Sequence, residues 1–526
     1  MFSRVISAAV YGIDAYIVNV ETDVGFGLPT FDMSGALGSK VREAKDRVRV
    51  AIKNSGIELT PQKIVINISP ANIRKEGTIY DLPIAIGILA ANGCFDLKIL
   101  ENVLIIGEVS LDGSINPVKG VLPMVCAAKE AGIDNCIIPK ANIAEGRIMN
   151  NINIYGVETL CQTIEILKNI AVIDGSRKNI KQADVKSGEC NKSDGNINND
   201  TYNVLERSRV KFTYGSEVKN NNHSCSYNID YSDISGQEAA KRATMIAVSG
   251  MHNIMYIGPP GSGKTMLAQR IPTIMPDMDY EEQLRLTKIY SVAGLLDSEG
   301  GIMVKRPFRN PHHTITQAAF LDEMTEFNQV IMEALRQPLE DKVITLVRVN
   351  AAYTYPAHFM LAAAINPCKC GYYPDRNRCH CSEYDIRRYI GRISNPMWDR
   401  FDMCVKVDEV SYEVMRNKGN VDTIYNSTDM KNKVEAARQM QKDRFKKLDI
   451  NYNSQMGVRE IHKYCTLNVE CNELMERMYK QHNMSARAYN KVLKTARTIA
   501  DLKGSVNIEK EHLTEALFYK NCEVKS

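Results

Sequence analysis

Ile254-Met255-Tyr256-Ile257 runs into Gly258-Pro259-Pro260-Gly261-Ser262-Gly263-Lys264-Thr265, and the reading of these residues decides the fold. The four apolar residues form a short strand, a glycine-rich loop follows, and Lys264 to about Arg270 reads as a helix. The loop fits G-x-x-x-x-G-K-[ST] at every fixed position. Gly258, Gly261 and Gly263 let successive backbone N–H groups turn inward onto phosphate oxygens, with Pro259, Pro260 and Ser262 between them. Lys264 would place a charge between the β- and γ-phosphates, and Thr265 a hydroxyl on Mg²⁺. The start of the helix adds partial positive charge. A chance glycine turn is the competing reading, and the flanking strand and helix weigh against it. ATP with Mg²⁺ is the expected cofactor.

Hydrolysis needs an acid for the metal and a base for the water. Ala318-Ala319-Phe320-Leu321-Asp322-Glu323 offers an apolar run ending in two carboxylates, with Asp322 on Mg²⁺ and Glu323 polarising water. The same residues also read as a helix start capped by Asp. A further strand, Phe359 to Ile365, ends at Asn366, which could bond the γ-phosphate or the attacking water, although a strand-ending Asn also serves as a turn residue.

Working outward, 526 residues exceed what one hydrophobic core accommodates. A hydrophobic fraction of 44% and a charged fraction of 24% are those of a globular protein. The net charge of +4 excludes a generally basic chain, so nucleic-acid affinity requires a local basic surface. No run of about eighteen apolar residues exists to cross a membrane. Met1-Phe2-Ser3-Arg4-Val5-Ile6 leads straight into strand-like alternation, without a signal-peptide pattern. A cytoplasmic location is expected, with the fourteen cysteines as reduced thiols or metal ligands.

Gly175 to Asp200 is dense in Lys, Asn, Asp, Ser and Gly and reads as a solvated linker. The expected organisation is an α/β domain over 1–168, a linker over 169–210, an α/β ATPase core with a parallel sheet over 211–410, and a helical domain over 411–526. In the first domain, Val65 to Ile68 and Val103 to Gly107 read as strands. A helix carries Val41, Ala44, Val48, Ala51 and Ile52 on one face, with Arg42, Lys45, Asp46 and Arg49 away from it. A second helix, Leu82 to Ala91, is apolar nearly all round and should be buried. Lys431 to Lys447 and Cys471 to Lys503 read as helical.

Cys368-Lys369-Cys370 and Cys379-His380-Cys381 flank a short polar run that can fold back as a hairpin. Four thiolates suit a tetrahedral, structural Zn²⁺. His380 could replace one of them, and a set of reduced thiols is the plainer alternative.

Arg306-Pro307-Phe308-Arg309-Asn310-Pro311-His312-His313-Thr314, Glu333-Ala334-Leu335-Arg336-Gln337-Pro338-Leu339-Glu340-Asp341 and Asn366-Pro367-Cys368, with the phosphate loop, resemble the Mg-chelatase-like AAA+ ATPases of the YifB/ComM family. The resemblance covers essentially the whole chain apart from the linker. It implies a homo-hexameric ring with ATP between subunits, and a helical lid over 411–526. By this resemblance Asn366 is sensor 1. Arg400, in Trp398-Asp399-Arg400-Phe401-Asp402, is the arginine finger reaching a neighbour's γ-phosphate, and Arg487, in Ser485-Ala486-Arg487, is sensor 2 on the lid. Without that context each arginine would read as a surface ion pair. His312 and His313 become loop residues near the ring's pore.

One departure stands out. In the family a glycine-rich stretch and most of the Walker B strand separate the His-His-Thr motif from the Asp-Glu pair. Here Thr314-Ile315-Thr316-Gln317-Ala318-Ala319-Phe320 runs directly into Leu321-Asp322-Glu323, so Ala318 to Leu321 has to serve as that strand. The departure bears on hydrolysis and on any substrate-gripping loop, and not on ATP binding.

The first domain resembles the Lon-protease-like domain of the same family. Arg74-Lys75-Glu76-Gly77-Thr78-Ile79-Tyr80-Asp81-Leu82-Pro83 lies where a Lon protease carries its serine nucleophile and holds none; the matching position looks like Asp81. Around Pro117-Val118-Lys119-Gly120-Val121-Leu122 the place of the general-base lysine looks like Leu122. Lacking a Ser–Lys dyad, the domain is expected to be a non-proteolytic platform. The implied function is DNA translocation or branch migration in competence and recombination, with DNA and recombination proteins as partners. A protein-remodelling ATPase is the alternative. A Mg-chelatase motor subunit is a weaker one, because such subunits lack the Lon-like domain. Lys442 to Lys447 reads as a solvated helix face more readily than as a DNA contact, and Trp398 as packing rather than base stacking.

Overall fold

The computed structural model of the chain describes residues 1–170, 228–296, 301–309, 318–348, 351–416 and 425–520. The linker expected over 169–210 lies outside them after its first two residues, as do His312, His313 and the rest of 310–317. The chain divides into two compact units, one of 1–221 with 279–304, the other of 222–278 with 305–526.

The first unit is built on a seven-stranded mixed sheet. Its strands are β1 (Phe2–Tyr11), β2 (Asp14–Gly25), β3 (Phe31–Ser34), β4 (Lys63–Ser69), β5 (Val103–Ile105), β8 (Asn135–Pro139) and β9 (Asn153–Val157), in the order β3-β4-β2-β1-β5-β8-β9. Two short strands, β6 (Glu108–Val109) and β7 (Ile115–Asn116), pair separately. Alternate residues of β5 divide between the faces: Val103 and Ile105 join one core, Leu104 the other.

Helices Ala44–Asn54 and Asp81–Ala91 cover one face, and Val121–Glu130 the other. The five apolar residues expected inward on the first helical stretch are all fully buried, and Arg42, Lys45, Asp46 and Arg49 are exposed. Helix Asp81–Ala91 is buried along its whole length, because it is wedged between β1–β2 and its neighbouring helix. Helix Tyr280–Ala293, inside the span expected for the ATPase core, packs in this unit on Val121–Glu130 and buries Leu286, Thr287, Tyr290 and Ser291. The Ser291 hydroxyl bonds the buried Glu145 carboxylate.

The second unit holds a five-stranded parallel sheet of β10 (Ile254–Ile257), β11 (Phe308–Arg309), β12 (Ala318–Leu321), β15 (Met360–Ile365) and β16 (Met403–Lys406), ordered β11-β12-β15-β10-β16. β10 and β15 are buried at every residue, as a parallel strand covered on both faces demands. Ile254 and Tyr256 face a core shared with helix Glu238–Gly250, while Met255 and Ile257 face the other core.

The helices Ser427–Phe445, Val469–Gln481, Ala486–Leu502 and Lys510–Lys520 contribute to that first core through Met430, Val434, Cys471, Met475, Leu493, Ala496 and Leu513. The stretch expected to be helical from Cys471 to Lys503 breaks at Asn483, which takes φ +45°. An antiparallel hairpin, β13 (Val343–Arg348) with β14 (Ala351–Pro356), precedes β15. Trp398 is buried in the second core. No helix among the described residues is long and apolar enough to cross a membrane.

Candidate functional site

The parallel sheet brings three chain segments to one edge. β10, β15 and β12 lie side by side, so the loop after β10, Asn366 after β15 and Asp322 after β12 all emerge at the carboxyl ends of adjacent strands. Ligands bind at such an edge in open parallel sheets. The Gly258 amide is tied to the Ile365 carbonyl at 3.3 Å, which fixes the loop's entry against β15. Gly261 and Gly263 take φ of +80° and +90°, and an added Cβ at either would meet nothing within 4 Å. These glycines are there for the left-handed backbone turn, since an added side chain would meet no neighbour. The Ser262 hydroxyl is buried without a hydrogen-bond partner.

Lys264 donates from Nζ to the Gly258 carbonyl at 2.8 Å, the Pro259 carbonyl at 2.7 Å and Asn366 Oδ1 at 3.1 Å. Burial lowers the Lys264 pKa to about 8, against the opposing pull of Asp322 and Glu323. Thr265 Oγ1 donates to Asp322 Oδ2 at 2.8 Å. A hydroxyl and a carboxylate at that spacing are hard oxygen donors of the kind Mg²⁺ uses beside phosphate. Lys264, Asn366, Thr265 and Asp322 therefore form one connected corner. Glu323 is exposed beside it in a left-handed conformation, φ +50°, and its amide is bonded to Asp322 Oδ1. A non-glycine residue held there is strained by roughly 1–3 kcal/mol, a cost met most often at working sites.

Arg400 and Arg487 do not bond the loop of their own chain. Arg400 Nη2 bonds Glu340 Oε2, and Arg487 Nη2 lies 3.4 Å from Glu340 Oε1. Arg400 is 6% exposed, and its Nε and Nη1 have no hydrogen-bond partner. Glu340 stands in the stretch from Glu333 to Asp341, and nothing in its local sequence marks it as the meeting point of two distant arginines.

Cys368, Cys370, Cys379 and Cys381 converge, with all four sulfurs within 4.8 Å of one another. Three of the separations are 3.3, 3.4 and 3.6 Å. A tetrahedral ion with metal–sulfur bonds of about 2.3 Å would set sulfurs roughly 3.8 Å apart, so the donor set fits Zn²⁺. His380 is exposed, and the cluster is made of sulfurs alone. Burial works against a thiolate at Cys370, but the Tyr372 amide and the neighbouring thiols bring its pKa down to about 6.

In the first unit, Asp81 is fully buried and held by Arg47 through Nε to Oδ2 at 2.8 Å and Nη2 to Oδ1 at 2.9 Å. Burial nonetheless raises the Asp81 pKa above its usual value. The helix it opens contains no serine, threonine, cysteine or lysine.

The family described as "Subunit ChlI of Mg-chelatase" matches residues 20–142. "Magnesium chelatase, subunit ChlI" matches 230–320 and 318–415, two pieces that meet just ahead of Asp322. "Magnesium chelatase, subunit ChlI C-terminal" matches 425–520. The competence protein ComM of Haemophilus influenzae is 33% identical, over 98% of this chain and 97% of that protein. The protein YifB of Escherichia coli is 34% identical over 98% of this chain and 97% of its own length. An archaeal Lon protease of Thermococcus kodakarensis is 31% identical over 151 residues, 28% of this chain and 23% of the protease. With full-length relatives at this identity and a phosphate loop on a parallel sheet, the chain belongs to the YifB/ComM family of Mg-chelatase-like AAA+ proteins.

Proposed function

We propose that this chain is an ATPase that assembles as a hexameric ring, burns ATP between subunits, and uses the cycle to move along DNA. The observation that carries the reading is the connected corner of Lys264, Asn366, Thr265 and Asp322. Lys264 and the loop amides bind the phosphates, Thr265 and Asp322 hold Mg²⁺, Asn366 senses the γ-phosphate, and Glu323 orients water. The family match breaks just ahead of Asp322, yet the four-residue β12 still delivers Asp322 to Thr265, which supports retention of the metal corner. Arg400 and Arg487 share Glu340 and bond no part of their own phosphate loop, which supports their acting on a neighbour's nucleotide. The Cys368–Cys381 cluster holds a structural Zn²⁺. The Lon-like unit, with Asp81 locked to Arg47, is a non-proteolytic platform.

The family resemblance, beside a relative named a competence protein, supports DNA as the track. Similarity of the first unit to Lon proteases favours polypeptide as the competing substrate. The deciding measurement is ATP turnover by the full chain with single-stranded, duplex and branched DNA, beside an unfolded polypeptide. Turnover should rise several-fold with DNA and stay flat with polypeptide. The opposite pattern would replace translocation on DNA with protein remodelling.

Proton linkage gives an independent check on Lys264. Its pKa of about 8 lies below the ordinary 10.5, so the unfolded chain binds more protons between those values. The unliganded fold therefore gains stability from this group as pH rises through that window. Phosphate favours the charged amine, so nucleotide binding takes up a proton above pH 8. ATP-analogue affinity should be level between about pH 6.5 and 7.5 and weaken above 8, approaching tenfold per pH unit. Calorimetry in buffers of different ionisation enthalpy reads both the affinity and the proton uptake.

A further inference from the structure

We propose that the four-cysteine hairpin is a metal-operated clamp on the phosphate loop, so that occupancy of its thiolates by a soft divalent cation of the Zn²⁺ class sets nucleotide affinity; this rests on the nucleotide reading of the loop at 258–265.

The hairpin starts where the nucleotide corner ends. Asn366, whose Oδ1 accepts from Lys264, stands two residues before Cys368. The chain then turns back on itself: the Gly371 amide donates to the Cys368 carbonyl at 3.0 Å, and the Tyr373 amide donates to Cys368 Sγ at 3.4 Å. Gly371 follows Cys370 directly and leans on the phosphate loop. It has φ +89°, and a Cβ built on it would lie 2.4 Å from Pro260 Cδ. Hairpin and loop also share a cavity of about 500 Å³, lined by Gly258, Pro259, Tyr372, Tyr373, Arg378 and Asp408 among others. On the far side, Arg378 stacks over Tyr372 at 3.9 Å and pairs with Glu409 at 2.6 Å, so the hairpin is braced against the chain after β16.

The sulfurs join the two ends of this turn, beside the bond that Arg376 Nη1 donates to the Cys381 carbonyl at 2.9 Å. Residues 371–378 contain two tyrosines and no aliphatic side chain larger than proline, so the hairpin has little apolar core of its own. A cation joining Cys368 and Cys370 to Cys379 and Cys381 closes the turn by coordination at both ends. It also fixes two contacts with the nucleotide site, Asn366 through Cys368 and Pro260 through Gly371. Losing the cation frees both at once. Each charge-assisted hydrogen bond lost from a bound phosphate is worth about tenfold or more in affinity.

The test uses full-length protein from zinc-supplemented cells, with metal content and affinity for a fluorescent, non-hydrolysable ATP analogue measured in excess Mg²⁺. One Zn²⁺ per chain is expected. A zinc-selective chelator, or Cys379→Ser, should remove it and weaken the nucleotide about tenfold. Adding Zn²⁺ back should restore the chelated wild type and not the serine variant. Gly371→Ala keeps every thiol, crowds Pro260 and strains the left-handed backbone of the turn, so it should weaken the nucleotide with Zn²⁺ still bound. Metal loss with unchanged nucleotide affinity, or tight nucleotide binding by Gly371→Ala, would overturn the clamp. Tight nucleotide binding by protein that never takes up Zn²⁺ would overturn the metal site. Zinc-loaded protein that fails to bind the analogue would overturn the nucleotide reading itself.

Discussion

Lys264→Ala is expected to remove most of the rise in melting temperature that a non-hydrolysable ATP analogue gives the wild type, while leaving the unliganded protein at least as stable. The two halves of this expectation have different causes. Burial holds the Lys264 amine below its ordinary pKa, which means the folded protein carries this charge at a cost. Its three hydrogen bonds, two to loop carbonyls and one to Asn366, offset part of that cost. Alanine removes charge and cost together. Bound phosphate reverses the balance, because a desolvated anion then lies within reach of the amine. Truncating one member of such a pair costs about 2–5 kcal/mol, a weakening of roughly thirtyfold to several thousandfold. Ligand at a hundred times its dissociation constant stabilises the wild type by about 2.7 kcal/mol, and in the variant the same concentration should give about 0.9 kcal/mol or less. Thermal unfolding of both proteins, with and without analogue and Mg²⁺, gives the answer. A variant that keeps the full wild-type shift would mean that the nucleotide is held elsewhere.

Local pattern was enough for the features that local chemistry dictates. β10, the glycine loop and the helix after it follow from apolar run, turn residues and spacing within a dozen residues. Helix Asp81–Ala91 follows from composition, since eleven residues with so little polarity can only be interior. The converging cysteines follow from their paired spacing.

What escaped depends on contacts between residues far apart. Helix Tyr280–Ala293 has an ordinary amphipathic sequence, and only packing against Val121–Glu130 assigns it to the first unit. Glu340 is separated from its two arginines by 60 and 147 residues, so no window could have linked them. The β13–β14 hairpin is a different case. Val343-Ile344-Thr345-Leu346-Val347 is a β-branched run that reads as a strand, but no Asn-Gly or Asp-Gly pair lies between the two runs to flag their pairing. Glu323 is the subtlest. Its left-handed backbone is imposed by the turn out of β12, and its sequence carries no sign of it.

Arg400→Ala is expected to cost about a thousandfold or more in turnover while nucleotide affinity stays unchanged, and the loss should be repaired by subunits that cannot bind ATP at all. In the single protomer Arg400 is an awkward guest. It is buried, one nitrogen is paired with Glu340, and two more are unpaired. Each buried unpaired donor costs about 1–3 kcal/mol. Arg487 lies against the other oxygen of the same carboxylate, which brings two guanidinium groups together around Glu340, itself half-exposed. An anion arriving from a neighbouring subunit would satisfy the free donors and relieve the crowding, and the γ-phosphate is the anion a ring interface would supply. If so, an Arg400→Ala subunit keeps a working loop and lacks only what it gives its neighbour. A Lys264→Ala subunit lacks a loop and still gives its neighbour Arg400. In an equal mixture about a quarter of interfaces then pair a good loop with a good arginine, as a head-to-tail ring requires. Turnover should rise from near zero to a substantial fraction of the wild-type rate. A purely structural role for Arg400 predicts something else: a lowered melting temperature and two inactive variants that stay inactive when mixed.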